Sequence, residues 1–189
     1  MTGLDQQVLV APEDGSLGPL LRLAVDRLAP GEGYGRHAHR AVDVVAVVLA
    51  GELRHRWQDD VLIRSGDVAV LRAGTGLEHD EVAGAAGARV LQTYLRSAQP
   101  AAVPAHEVNR FPEGGVDLAR SDARLWIGRA EPGETVTVPA GLLVVAGAGS
   151  PVMEQQAGGP VTVEEAATLV VWELVADRPA WALEPPPPS

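Results

Sequence analysis

The chain has 189 residues, 46% of them hydrophobic, which is enough to bury a substantial core, and its 25 acidic residues against 15 basic ones leave a formal charge of -10. Every basic residue is arginine; lysine and cysteine are both absent, which excludes disulfides, thiolate metal sites, Schiff-base chemistry and a P-loop lysine. The acidic balance also argues against direct contact with nucleic acid or with an anionic membrane.

The opening "MTGLDQQVLVAPEDGSLG" lacks a basic start and an apolar stretch, so it does not read as a secretory signal. No apolar run reaches the roughly 18 residues of a membrane helix, and a cytoplasmic protein is expected. Abundant Ala, Gly, Arg and Pro without lysine matches the coding bias of a GC-rich bacterial genome. Short runs of Val, Leu and Thr follow, separated by Gly, Pro and Asp, the pattern of an all-β sandwich or barrel. Strands are expected over 20–28, 43–50, 52–58, 61–64, 68–71, 79–83 and 88–96, with turns at "APGEG", "AG", "QDD", "SGD", "AGTG" and "AGAAG".

The proline-punctuated "SAQPAAVPA" reads as a connection, and the second half repeats the β signature in "RLWIGRA", "ETVTVPA", "GLLVVAGA", "PVMEQQ", "GPVTVEEA" and "TLVVWELV". The expected organisation is an N-terminal metal-binding barrel over 1–98, a connection over 99–110, a metal-free C-terminal barrel over 111–182, and a disordered proline-rich tail over 183–189. Trp126, Trp172 and Trp181 sit in apolar segments of the second half and are expected to pack in the core or between barrels.

The chemistry concentrates in the first half, which holds four of the five histidines. On an extended strand the period of two puts His37 and His39 on one face. An H-x-H triplet alone is weak evidence, but His79 and Glu81 repeat the spacing in "GLEHDEVAG". Three imidazoles and one carboxylate form an all N/O set suited to Fe(II), Mn(II), Ni(II) or Zn(II), with positions left open for water or substrate.

"GYGRHAHRAVD", "LAGELRHR" and "SGDVAVLRAGTGLEHDE" resemble the pirin family of the cupin superfamily, whose patterns run close to H-P-H-R-G-F-E, E-G-E-x-x-H-R, G-D-V-Q-W-M-T-A-G and G-I-x-H-S-E. The similarity covers about 31–81 with the motifs in order. It implies two cupin-type, jelly-roll β-barrels in tandem, the second shortened. It also implies His37, His39, His79 and Glu81 as ligands of one divalent transition metal, Fe(II) first, with Mn, Ni, Zn, Co or Cu as alternatives. Asp43 falls where the general cupin pattern carries a further carboxylate; being one methylene shorter than glutamate, it is expected to handle protons or to brace the ligands. Glu81 and Asp43 are thus the candidate catalytic residues. His55 is expected to pack over the barrel mouth, and His106 to be solvated in the connection.

Val42, Val47 and Val70 stand where pirins carry large aromatics, so the pocket is expected to offer little to stack on a planar substrate. The implied activity is an Fe(II)-type, quercetin 2,3-dioxygenase-like oxidation of a small flavonol- or catechol-like molecule in the N-terminal barrel, with Glu81 accepting a hydroxyl proton. The alternative is a non-enzymatic, metal- or redox-responsive regulator that binds a protein partner; a cupin isomerase or small-molecule binder is a third reading.

Overall fold

The computed structural model describes residues 3–12 and 15–175, and among them every regular element is a β-strand. In chain order these are β1 Leu4–Val10, β2 Leu20–Leu28, β3 His37–His39, β4 Val42–Arg56, β5 Asp60–Arg64, β6 Val68–Arg72, β7 Leu77–Arg96, β8 Ala105–Asn109, β9 Gly114–Val116, β10 Ala123–Ala130, β11 Thr135–Val138, β12 Gly141–Ala146, β13 Val152–Gln156, β14 Gly159–Thr162 and β15 Ala167–Leu174. All pairings are antiparallel. The first half forms a sheet in the order β1-β2-β7-β4-β6-β8, with β3 added to β7 and β5 to β4. The second half forms β13-β12-β15-β10-β9 and a smaller β11-β14 ribbon. The whole is the two-barrel, all-β architecture expected. Residues 176–189, including Trp181 and the proline-rich tail, lie outside the described residues.

The β-branched run of β4, "VDVVAVVLAGELRHR", shows how the two barrels meet. Positions 44–48 are all buried, because each face of the strand has an apolar partner. Val45 and Val47 point into a core shared with Leu125, Ile127, Val144, Val170 and Trp172 of the second half, whereas Ala46 and Val48 point into the first barrel with Leu53, Ile63 and Val90. A third cluster, around Leu143, Leu169 and Val171, fills the second barrel, with Trp126 packed against it. Trp172 and Trp126 thus occupy the packing positions expected of them.

Two expected turns are not turns. "AG" at 50–51 lies inside β4 and "AGAAG" at 83–87 lies inside the 20-residue β7. The ribbon of β4 and β7 continues through both, with its register interrupted around Ala50 to Leu53, so that Gly51 faces Ala88 while Leu53 faces Ala83. Gly51 holds φ +72 and Gly87 φ +76, the left-handed region that a bulge uses. A methyl on Gly51 would strike the Gly87 carbonyl, so the two backbones close only with glycine there. The bulges fold the ribbon over and change which side-chain parity faces inward: Val44, Ala46 and Val48 before the bend in β4, Leu53 and His55 after it. The segment expected as a connection also carries structure, since β8 adds to the first sheet as a partner of β6, with His106 opposite Leu71.

Candidate metal centre

Short β3 pairs with the start of β7 so that His37 stands directly across from His79. The glycine-rich approach makes this possible: Gly33 bridges to Val82, and a methyl at Gly33 would run into the Glu81 carbonyl. Tyr34 N–H then donates to that carbonyl, at 3.1 Å. His37 Nδ1–H donates to the Gly35 carbonyl at 2.7 Å, which fixes the tautomer and leaves Nε2 with its lone pair. That Nε2 lies 3.0 Å from His39 Nε2. His79 joins them, one donor nitrogen from each of the three rings lying within 4.8 Å of the others.

His79 is fully buried, and neither of its ring nitrogens has a hydrogen-bond partner. A buried imidazole with two orphaned nitrogens is costly unless something binds them, so the donor set fits a metal ion on an observation independent of spacing. Burial holds these rings neutral: it lowers His39 to about 4 and His79 to about 3. Neutral imidazole is the form that ligates.

Glu81, two residues along β7, is buried as well, and burial raises its carboxyl to about 7. Its one described side-chain hydrogen bond is a long one of 3.4 Å from Gln92 Nε2. No cationic side chain pairs with it among the described residues. The carboxylate oxygen lies within 4.8 Å of His79 and of His55 donors, whereas the first imidazole group comprises His37, His39 and His79. The four sequence-predicted ligands therefore occupy one corner of the barrel, with His79 as the hinge between two overlapping triads.

Asp43 is not with them. It occupies the opposite parity of β4 from Val44 and Ala46, and its Oδ2 accepts a 2.8 Å hydrogen bond from Arg120 of the second half. Arg120 is itself buried, grips Asp122 through two further bonds and donates to the Arg96 carbonyl. The carboxylate is part of the seam between barrels, and the proton-handling role expected from its distance to His39 has no geometric basis. The reason is the break between strands: His39 ends β3 and Asp43 lies in β4, and left-handed Ala41 (φ +54) between them interrupts the alternation that would put residues four apart on one face.

His55 and His106 depart from expectation in the other direction. His55 is 1% exposed and pairs across the ribbon with Glu81; its ring centroid lies 4.8 Å from that of His79. His106 is half-buried and stacks on His55, with centroids 3.9 Å apart and planes 17° from parallel. All five histidines thus form one continuous cluster. Burial lowers His55 to about 3 and His106 to about 4.

Both tyrosines also flank the cluster, Tyr34 at 6.3 Å from the His37 ring and Tyr94 at 5.7 Å from that of His39. Tyr34 donates its hydroxyl hydrogen to buried Asp26 at 2.9 Å. Aromatic surface is present after all. Val47 and Val70 say nothing about it, because both belong to the core between barrels; only Val42, packed near Trp57 and Tyr94, adjoins the site. The repeated rarity of His and Tyr in the sequence was the one signal that could have pointed to these residues.

Residues 15–95 match the model of the Pirin family. Over 94 residues the chain is 34% identical to a Zymomonas mobilis protein whose provisional name is quercetin 2,3-dioxygenase, covering 47% of this chain and 39% of that one. It is 27% identical over 152 residues to a pirin-like protein of Caulobacter vibrioides, covering 69% of this chain and 65% of its relative. The matched stretch therefore spans about two fifths of the length of the first of these curated relatives. The bacterial pirin YhhW of Escherichia coli, solved in complex with nickel(II), shares the fold with a TM-score of 0.71 at 17% identity, over 93% of both chains. No helix among the described residues is long and apolar enough to cross a membrane. Residues 15–95 are thus similar to the Pirin family, and the chain shares the two-barrel fold of the bacterial pirin YhhW over 93% of its length.

Proposed function

We propose that this chain is a metal-dependent oxidoreductase of the cupin kind, in which His37, His39, His79 and Glu81 hold one divalent transition metal, Fe(II) in the first instance, and act on a small oxygenated molecule of flavonol or catechol type. The observation that carries the reading is the convergence of three imidazoles, one with both nitrogens orphaned, beside a buried carboxyl that no cation neutralises. The quercetin 2,3-dioxygenase name of the Zymomonas relative supports the substrate class.

A bound ion would supply Lewis acidity and a template for the oxygen atoms of the substrate. The residues of the chain do the rest. His37, locked by the Gly35 carbonyl, presents Nε2 without reorganisation. In the metal-free chain burial brings Glu81 to about 7, so the carboxyl can release a proton as an ion or substrate enters and take one back as it leaves. Tyr34 and Tyr94 place aromatic rings beside the imidazoles, the Tyr34 hydroxyl being tied to Asp26.

The test is oxygen uptake and substrate loss with quercetin and simple catechols, on protein loaded in turn with Fe, Mn, Ni, Co and Cu. Turnover with at least one metal, lost in Glu81→Gln, is expected. Unchanged substrate with every metal overturns the oxidoreductase reading, and undiminished metal content in His37→Ala/His79→Ala overturns the ligand set.

A further inference from the structure

We propose that His55, His79 and Glu81 form a second, inner position for a divalent transition-metal ion. It shares His79 and Glu81 with the centre proposed above but needs neither His37 nor His39. One donor atom from each of the three residues lies within 4.8 Å of the others. Donors around one ion at about 2.0–2.2 Å stand roughly 3–3.5 Å apart, a closure that side-chain rotation can supply. All three side chains are more than nine-tenths buried.

The orphaned nitrogens carry the argument further than the distances. His55 Nε2 has no hydrogen-bond partner, and neither nitrogen of His79 has one. The two nitrogens of an imidazole point away from each other, so an ion at the His37–His39 side can satisfy only one of those on His79. Ligating histidines ordinarily donate their second N–H to a carboxylate or carbonyl, and His79 has no such acceptor. The ring of His55 packs against that of His79, and across the ribbon from His55 stands Glu81. The inner triad contains the carboxylate, so an ion there is charge-compensated by Glu81.

Access is built in. His55 and its stacked neighbour His106 line a pocket of about 320 Å³ together with Trp57, Asp59 and Val61. The exposed Asp59 carboxylate and the half-buried His106 are suitable groups to receive a hydrated cation before it passes to His55.

The experiment starts from full-length His37→Ala/His39→Ala, which removes the outer triad and leaves the inner one intact, titrated with Zn(II), Ni(II) and Co(II) and analysed for bound metal. One ion per chain is expected, with affinity weakened about 100-fold or more when His55→Asn is added. Absence of any bound ion in His37→Ala/His39→Ala overturns the inner position and leaves the four-residue centre standing. Binding that is indifferent to His55→Asn also overturns it. Binding by His37→Ala/His39→Ala as tight as wild type would instead sink the four-residue centre. Because His55 is buried and its replacement can impair folding, pulsed EPR of Cu(II)-loaded His37→Ala/His39→Ala gives an independent readout. Two coupled imidazoles, from His55 and His79, are expected; one or none refutes the proposal.

Discussion

Replacing Glu81 by Gln removes the charge while keeping the shape, and Gln92, whose Oε1 is buried without a partner, can turn its amide to accept from the new side chain. Burial raises the Glu81 carboxyl from 4.5 to about 7, which by linkage corresponds to about 3 kcal/mol. The sign follows from a raised folded pKa: the native state holds its proton longer than the unfolded chain does. The metal-free protein is therefore unpenalised by this group below pH 4.5 and loses stability as pH rises through about 7. Glu81→Gln lacks that loss. Urea denaturation of both proteins, stripped of metal, at pH 5 and pH 8 should show Glu81→Gln gaining about 2.5 kcal/mol on wild type between the two conditions, part of the full value being lost already at pH 5. The comparison cancels the histidines, which titrate alike in both proteins. Saturating divalent metal should reverse the order, because a cation beside the carboxylate offsets its burial. A wild-type-minus-variant difference that stays flat from pH 5 to pH 8 would show Glu81 ionised and hydrated at neutral pH, and would refute the reasoning.

Arg120→Met should destabilise the protein by about 3–5 kcal/mol in urea, since it strands buried Asp43 without a cation, whereas Asp43→Asn should cost less because Arg120 keeps Asp122; metal content should be unchanged in Asp43→Asn, and its loss would return Asp43 to the site. Metal-free protein should unfold in acid: His39, His55, His79 and His106 have folded values of about 3 to 4, so the stability they contribute is present above pH 6.5 and drains away below it by roughly 1.4 kcal/mol per pH unit per histidine, followed by circular dichroism. Gly33→Ala should cost about 2 kcal/mol by thermal unfolding and weaken metal binding together, because its methyl collides with the Glu81 carbonyl and pushes the strand bearing His37 away from His79.

Much of the site was legible from spacing. His37 with His39, and His79 with Glu81, are each two residues apart, and a strand necessarily carries such a pair on one face. The β class was equally open, because short Val-rich runs between Gly, Pro and Asp permit little else. Local spacing could not say which face a residue beyond a bulge would present. Counted from Val44, His55 has the outward parity; the bulges after Val48 and Gly51 turn it inward, against Glu81. Asp43 has the right distance from His39 and the wrong face. His106 reaches the cluster only because β8 returns to pair with β6, across a sequence separation that no local pattern encodes. Periodicity thus determined which residues travel together along each strand, while register and bulges, fixed by long-range pairing, decided which of those groups meet inside the barrel.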